Sequence, residues 1–199
     1  MGAPGRGMKT GTRSKRPNGL STDPCLSYTF PAYQPSMQNP ANPDLSDDTL
    51  PVETDVAPSP EVLDCAVEND LEGLTDYLFN GESQKIREDA ALAIGMMMGE
   101  QAVEAFIELF SQENKDLRMA ASWGLSAIGT PALNRLIVAL AEGDTVTRTW
   151  AAYTLGTIGH CKADTPLTEA LKDEDPQVRW WAGWALDQIL QRHGTCSSC

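Results

Sequence analysis

Histidine is nearly absent from this 199-residue chain: His160 and His193 are its two. That leaves little basis for a histidine-rich metal centre. Lysine and arginine are missing altogether between Arg16 and Lys85, while that stretch holds Asp44, Asp47, Asp48, Glu53, Asp55, Glu61, Asp64, Glu68, Asp70, Glu72 and Asp76. The formal net charge is −13. An acidic body repels phosphates, so nucleic-acid binding is not expected. No apolar run approaches the roughly 18–20 residues of a membrane span, and residues 1–20 lack the apolar core of roughly 7–15 residues that marks a secretory signal. There are no clear strands, no glycine-rich phosphate loop and no nucleophile–base constellation. The five cysteines, Cys25, Cys65, Cys161, Cys196 and Cys199, are odd in number and scattered, which argues against a disulfide scaffold and fits a reducing compartment. Cys196 and Cys199 have the C-x-x-C spacing of half a zinc site, beside His193 at the chain end; no metal is expected there. The expected location is cytoplasmic. The plastid stroma is the alternative if residues 1–20, with Arg6, Lys9, Arg13, Lys15 and Arg16 and no acid, act as a transit peptide.

What the chain does have is a repeat. Four segments, IREDAALAIGMM, LRMAASWGLSAIG, TRTWAAYTLGTIG and VRWWAGWALDQIL, align on Arg87, Arg118, Arg148 and Arg179, in steps of 31, 30 and 31 residues. Three residues on is alanine each time (Ala90, Ala121, Ala151, Ala182), seven on is Ile94, Leu125, Leu155 or Leu186, and ten on is Met97, Ile128, Ile158 or Ile189. With Ile86, Leu117, Thr147 and Val178 one residue before the arginine, these offsets fall on one face of a helix. Gly129 and Gly159 stand where such a helix needs a left-handed cap. A second apolar stretch precedes each arginine, with Phe79, Phe110, Leu140 and Leu171 eight residues back and Phe106, Leu136 and Leu167 twelve back in the last three copies. The turns between carry Asn80-Gly81, Gly143-Asp144 and Asp175-Pro176, all breakers. The unit is therefore helix, turn, helix. One pair cannot bury both of its apolar faces, so the pairs must stack.

The spacing predicts an all-α solenoid, a superhelix of about four helix pairs over residues 59–193. A helix from about Pro60 to Asn69 would cap one end, and one from Pro176 to about Arg192 the other. Residues 1–58 are rich in Pro, Gly, Ser, Asn and Asp and are expected to form a disordered arm, basic and then acidic, either a plain linker or a carrier of a linear motif around Tyr28-Thr29-Phe30-Pro31. Residues 194–199 read as a flexible tail.

Units of this length with V-R-x-x-A-x-x-A-L-G-x-I-G resemble the HEAT-like repeats named after phycobilisome lyases, best in DPQVRWWAGWAL and RTWAAYTLGTIG. The resemblance covers roughly residues 70–191. It implies the fold strongly and the function weakly, since such repeats occur in bilin lyase subunits, phycobilisome-degradation factors, a di-iron hydroxylase and adaptors. The hydroxylase needs several His-Glu pairs that are missing here.

Five residues after each arginine come Leu92, Trp123, Tyr153 and Trp184; two after come Asp89, Ala120, Trp150 and Trp181; Trp180 follows the last arginine directly. Offset five lies about 150° from the alanine–leucine face. The first placement consistent with this is a strip of Trp123, Tyr153 and Trp184 on the concave surface, flanked by Trp150, Trp181 and Trp180. The second is that the rings fill gaps between adjacent second helices. The arginines are read as a structural ladder, near Asn114, Asp144 and Asp175. The run Met96-Met97-Met98 ends a helix.

The expected function is a non-catalytic protein-binding scaffold, adaptor or assembly factor with a protein partner on the concave face, without cofactor, in a possible hetero-complex. The alternative implied by the resemblance is a bilin lyase or lyase subunit that binds a tetrapyrrole and a phycobiliprotein. Tyr153 and Asp187 would then be the nearest acid–base groups. A purely structural part of a larger complex is the third option.

Overall fold

The computed structural model describes residues 57–193. The basic arm, the segment around Tyr28 and the tail with Cys196 and Cys199 lie outside the described residues. Among the described residues there are nine α-helices and no strand: α1 (Pro60–Glu68), α2 (Leu71–Asn80), α3 (Gln84–Met98), α4 (Val103–Leu109), α5 (Lys115–Ile128), α6 (Leu133–Glu142), α7 (Thr145–Ile158), α8 (Asp164–Ala170) and α9 (Pro176–His193). Short 3-10 turns precede α4, α6 and α8. The helices form four pairs, α2/α3, α4/α5, α6/α7 and α8/α9, with α1 packed on the first. This is an all-α solenoid.

Local chemistry explains the boundaries. Each second helix starts on a polar cap. Ser83 accepts from the Ile86 amide, Asn114 from Asp116, Asp144 from Thr147 and Asp175 from Gln177, which satisfies amides that have no partner inside the helix. Pro176 opens α9, where a missing N–H costs nothing. Gly99, Gly129 and Gly159 follow α3, α5 and α7 with φ of 55°, 70° and 68°, a region that penalises any side chain. Gly99 is the one of the three that the repeat pattern did not mark.

The core is the stack of alanine faces. Ala90, Ala121, Ala151 and Ala182 are fully buried, as are Leu125 and Leu155. The predicted apolar residues of the first helices divide by position. Phe110 and Leu140, in the two interior pairs, are buried, while Phe79 and Leu171, in the two outer pairs, are exposed by 44% and 41%. Their burial depends on neighbouring pairs, and the outer pairs lack one. One residue earlier, Leu78, Leu109, Ala139 and Ala170 are buried in every pair; these form the constant contact within each unit.

The helical run 84–109 is long and apolar enough for a membrane span by length and composition alone. Gly99 interrupts it at positive φ, and Ala90, Ala91, Ile94, Val103 and Phe106 are buried against neighbouring helices. It has the pattern of core helices in a stacked array.

Successive second helices approach very closely. A Cβ placed on Gly95 of α3 would meet the Gly124 carbonyl oxygen of α5 at 2.6 Å, and one on Gly156 of α7 would meet the Ala185 Cα of α9 at 2.8 Å. Four residues after the arginines stand Ala91, Ser122, Ala152 and Gly183. The first three are buried under the following second helix, and Ser122 receives a 2.9 Å hydrogen bond from Thr154 of α7. Apolar periodicity did not mark this offset; its signal is a small residue in every copy.

Candidate functional site

The second helices carry all five tryptophans and Tyr153, and the structure separates these rings into two groups by exposure. Trp150 and Trp181 are 4% and 8% exposed. They fill space between successive second helices: Trp150 stacks on Phe110 with ring centres 6.2 Å apart and lies 5.9 Å from the Arg118 guanidinium. Trp123, Tyr153, Trp184 and Trp180 are half-buried, with part of each open to solvent. Tyr153 and Trp184 stack nearly parallel, 21° between planes and 5.4 Å between centres. Trp181 meets both edge-on, at 5.0 and 5.4 Å, and Trp180 packs on Trp181 at 4.5 Å. Edge-on and offset arrangements of this kind favour the ring quadrupoles, so Tyr153, Trp180, Trp181 and Trp184 form one coupled cluster. The indole nitrogen of Trp181 is buried there without a hydrogen-bond partner.

Trp123 sits one repeat earlier. It lies near the carboxyl of Glu88 on α3, which accepts from Gln84 at 2.7 Å. Glu88 is half-buried. Burial pushes its carboxyl up from the usual value, the Gln84 bond opposes this, the neighbouring Asp89 adds to the rise, and Lys85 and Trp123 oppose it. Glu88 stands one residue after Arg87, four before Leu92, and so shares the helix face of the offset-five residues. Tyr153 and Asp187 are the titratable groups that the sequence suggested for this face, and Glu88 is one that it did not. Its charge, alone among Glu88, Met119, Thr149 and Trp180 at that offset, was the available signal. Asp187 is exposed.

The four arginines share one geometry. Nη1 of Arg87, Arg118, Arg148 and Arg179 donates to the carbonyl of Gly81, Gln112, Gly143 and Asp173 respectively, at 2.5, 2.7, 3.2 and 2.8 Å. Each therefore closes the turn between the helices of its own pair. Arg148 also forms an ion pair with the next helix pair, a bidentate bond to Asp173 at 2.9 and 2.8 Å. Asn114, Asp144 and Asp175, which the sequence placed near the arginines, are instead the helix caps described above. The bond from Arg148 holds the Asp173 carboxyl below its usual value.

Two other features bear on chemistry. Among the described residues no group of His, Cys, Asp and Glu has metal-binding geometry. His160 and His193 are structural neighbours at the end of α7: His193 Nε2 lies 2.7 Å from the Gly159 carbonyl, and Arg192 donates to the carbonyls of Thr157 and Ile158. Cys65 is a free, half-buried thiol. Cys161 is half-buried, its Sγ 3.8 Å from His160 Nδ1.

The family model for HEAT repeats matches residues 71–156 and 133–195. The chain belongs to the HEAT-repeat family. Over 94 residues it is also 36% identical to a protein from Pseudanabaena tenuis named uncharacterized phycocyanin operon protein Z, a match that covers 46% of each chain. The chain thus spans about half the length of the curated relative it matches. HEAT repeats generally mediate protein–protein interactions, and the face of the second helices is the surface that combines open aromatic rings with a half-buried carboxyl.

Proposed function

We propose that this HEAT-repeat protein is a non-catalytic scaffold or assembly factor that holds a partner protein against its second helices, anchored on Trp123, Tyr153 and Trp184. The observation that carries this reading is the half-open, nearly parallel stack of Tyr153 on Trp184, aligned with Trp123 one repeat away. Each large ring buries roughly 150–250 Å² when covered, and such residues dominate interface energetics. The close approach of the second helices at Gly95–Gly124 and Gly156–Ala185 supports reading this face as the concave one. The net charge of −13 favours a partner with basic patches.

The name of the Pseudanabaena relative, together with the short V-R-x-x-A repeat resembling the phycobilisome-lyase subgroup, supports a phycobiliprotein subunit as that partner, met in the cytoplasm or stroma as part of a hetero-complex. A second reading has the same observation in its favour. A parallel pair of rings also suits a flat tetrapyrrole, and in a bilin lyase subunit the strip would hold the pigment while a partner cysteine is alkylated.

The test is direct binding of purified phycocyanin α and β subunits, with and without bilin, to the wild type and to a Trp123→Ala/Tyr153→Ala/Trp184→Ala variant whose helical circular dichroism matches. Loss of binding by the folded variant is the expected result. Equal binding by both proteins refutes the role of the strip. Retention of free bilin by the wild type, with quenching of tryptophan fluorescence, favours the lyase reading.

A further inference from the structure

We infer that two copies of this chain pair through the outer face of α9, crossing antiparallel at Gly183 so that Arg179 of each copy meets Asp187 of the other. The inference does not depend on the aromatic strip.

The buried residues Val178, Ala182, Ala185 and Ile189 define the inner side of α9. Arg179, Gly183, Asp187 and Leu190 turn away from it on one stripe. Among the described residues no helix covers this stripe. Arg179, Asp187 and Leu190 are exposed, Leu190 by 50%, and so is Leu171 of α8, by 41%. A Cβ on Gly183 would meet Leu171 Cδ2 at 3.7 Å and nothing nearer. Gly95, Gly124 and Gly156, the glycines inside the other second helices, each lie against a neighbour that leaves no room for a side chain. Gly183 has no such neighbour among the described residues, although glycine inside a helix is destabilising relative to alanine. The close approach that explains the other three glycines is supplied here by the second copy.

Charge selects that copy and its direction. Arg148 shows what an arginine of this ladder takes up. Its Nη1 closes its own turn, while its Nε and Nη2 hold the Asp173 carboxylate of the next pair. Arg179 closes its turn in the same way, with Nη1 on the carbonyls of Asp173 and Glu174. Among the described residues no carboxylate forms an ion pair with it. It acts through space on Asp173, but Arg148 holds that carboxyl. Asp187 engages no hydrogen bond or ion pair among the described residues. Arg179 and Asp187 each stand four residues from Gly183, about one helical turn on either side. An antiparallel crossing on a two-fold axis at Gly183 therefore sets each arginine against the other copy's aspartate. A parallel crossing in register sets like against like. Exposed ion pairs add little affinity, so the leucines supply the buried area and the charges fix direction and register. One helix face is a small interface, below about 1,200 Å², so the pairing is weak and reversible, with a dissociation constant between about 1 µM and about 1 mM.

The experiment is sedimentation equilibrium of the full chain, with reductant, from about 1 µM to about 1 mM. The expected result is a monomer that becomes a dimer across this range. Asp187→Arg, an exposed change that sets arginine against Arg179, should dimerise at least about tenfold more weakly. Gly183→Gln, which fills the crossing point, should do the same. Arg179→Asp should also fail to dimerise alone, yet an equimolar mixture of Arg179→Asp and Asp187→Arg should form a heterodimer, because the exchanged charges match again. Helical circular dichroism checks each variant. If Arg179→Asp does not fold, the other two variants decide. Wild-type chain that stays monomeric throughout overturns the inference and leaves the face to a different occupant. Dimerisation undiminished in Asp187→Arg or in Gly183→Gln, or no rescue by the mixture of folded variants, overturns it as well.

Discussion

Replacing Gly95 by alanine tests the central packing claim, because local and tertiary preferences act on it with opposite signs. Gly95 lies inside α3, where alanine is favoured over glycine by about 1 kcal/mol. Its added methyl would stand 2.6 Å from the carbonyl oxygen of Gly124, 3.3 Å from its carbonyl carbon and 3.4 Å from its Cα. All three are backbone atoms of α5, so no rotamer change relieves the contact. The two helices must separate, and a gap of about 0.5–1 Å forfeits a quarter to a half of the dispersion energy of the contacts it opens. Overpacking of this kind costs about 1–3 kcal/mol. Net of the helix preference, Gly95→Ala is destabilising by up to about 2 kcal/mol, and the melting temperature falls by up to about 6 °C. Gly183 is the control. It too is helical, but its nearest neighbour for a new methyl is Leu171 Cδ2 at 3.7 Å, so Gly183→Ala keeps the helix gain of about 0.5–1 kcal/mol. Thermal unfolding followed by far-ultraviolet circular dichroism should move in opposite directions for the two variants. A rise for Gly95→Ala equal to that for Gly183→Ala would refute the close approach of α3 and α5.

Four further outcomes follow from the geometry. Glu88→Gln should be as stable as wild type or more so at pH 7: a raised carboxyl favours the protonated form, whose stabilisation is present at low pH and lost as pH rises through the raised value. The advantage should vanish below the ordinary glutamate value of about 4, as urea midpoints across pH would record. Arg148→Met removes the bidentate bond to Asp173, both groups being about nine-tenths covered or nearly so at 14% and 13% exposure, and should cost about 1–3 kcal/mol near neutrality. Because Asp173 is depressed, its contribution is present above the ordinary aspartate value and lost as pH falls through the lowered one, so the deficit of Arg148→Met should shrink in acid. Asp89→Ala strips Ser59 and Lys85 of their shared acceptor; a loss of about 1–3 kcal/mol with faster amide exchange in α1 is expected, and unchanged α1 exchange would refute its role as the anchor of that helix. Gly159→Ala forces a side chain to φ 68° against Arg192 and should cost about 1–2 kcal/mol, measured by denaturant melts.

The repeat was legible because its causes are local. A helix face recurs at fixed offsets, and Gly129, Gly159, Asp144 and Pro176 mark turns by their own conformational preferences. These signals placed α1 and α9 to within one residue of their observed ends. The candidate site was legible only in outline. The offset-five residues Trp123, Tyr153 and Trp184 lie on a face that helical periodicity defines, and the structure leaves each partly open. Periodicity did not separate them from Trp150 and Trp181, whose burial is supplied by the neighbouring helix, nor did it distinguish the half-buried Glu88 from an exposed glutamate.

The sequence by itself therefore determined the all-α class, the number of helix pairs, their caps and their apolar faces, since each depends on residues within one turn of helix or one short loop. The tertiary structure decided how tightly the second helices pack, which of the tryptophans are core, that Phe79 and Leu171 stay exposed at the ends of the array, and that Glu88 of α3 lies near Trp123 of α5. Those outcomes depend on contacts between residues about thirty positions apart, where stacking distance rather than local preference sets the energy.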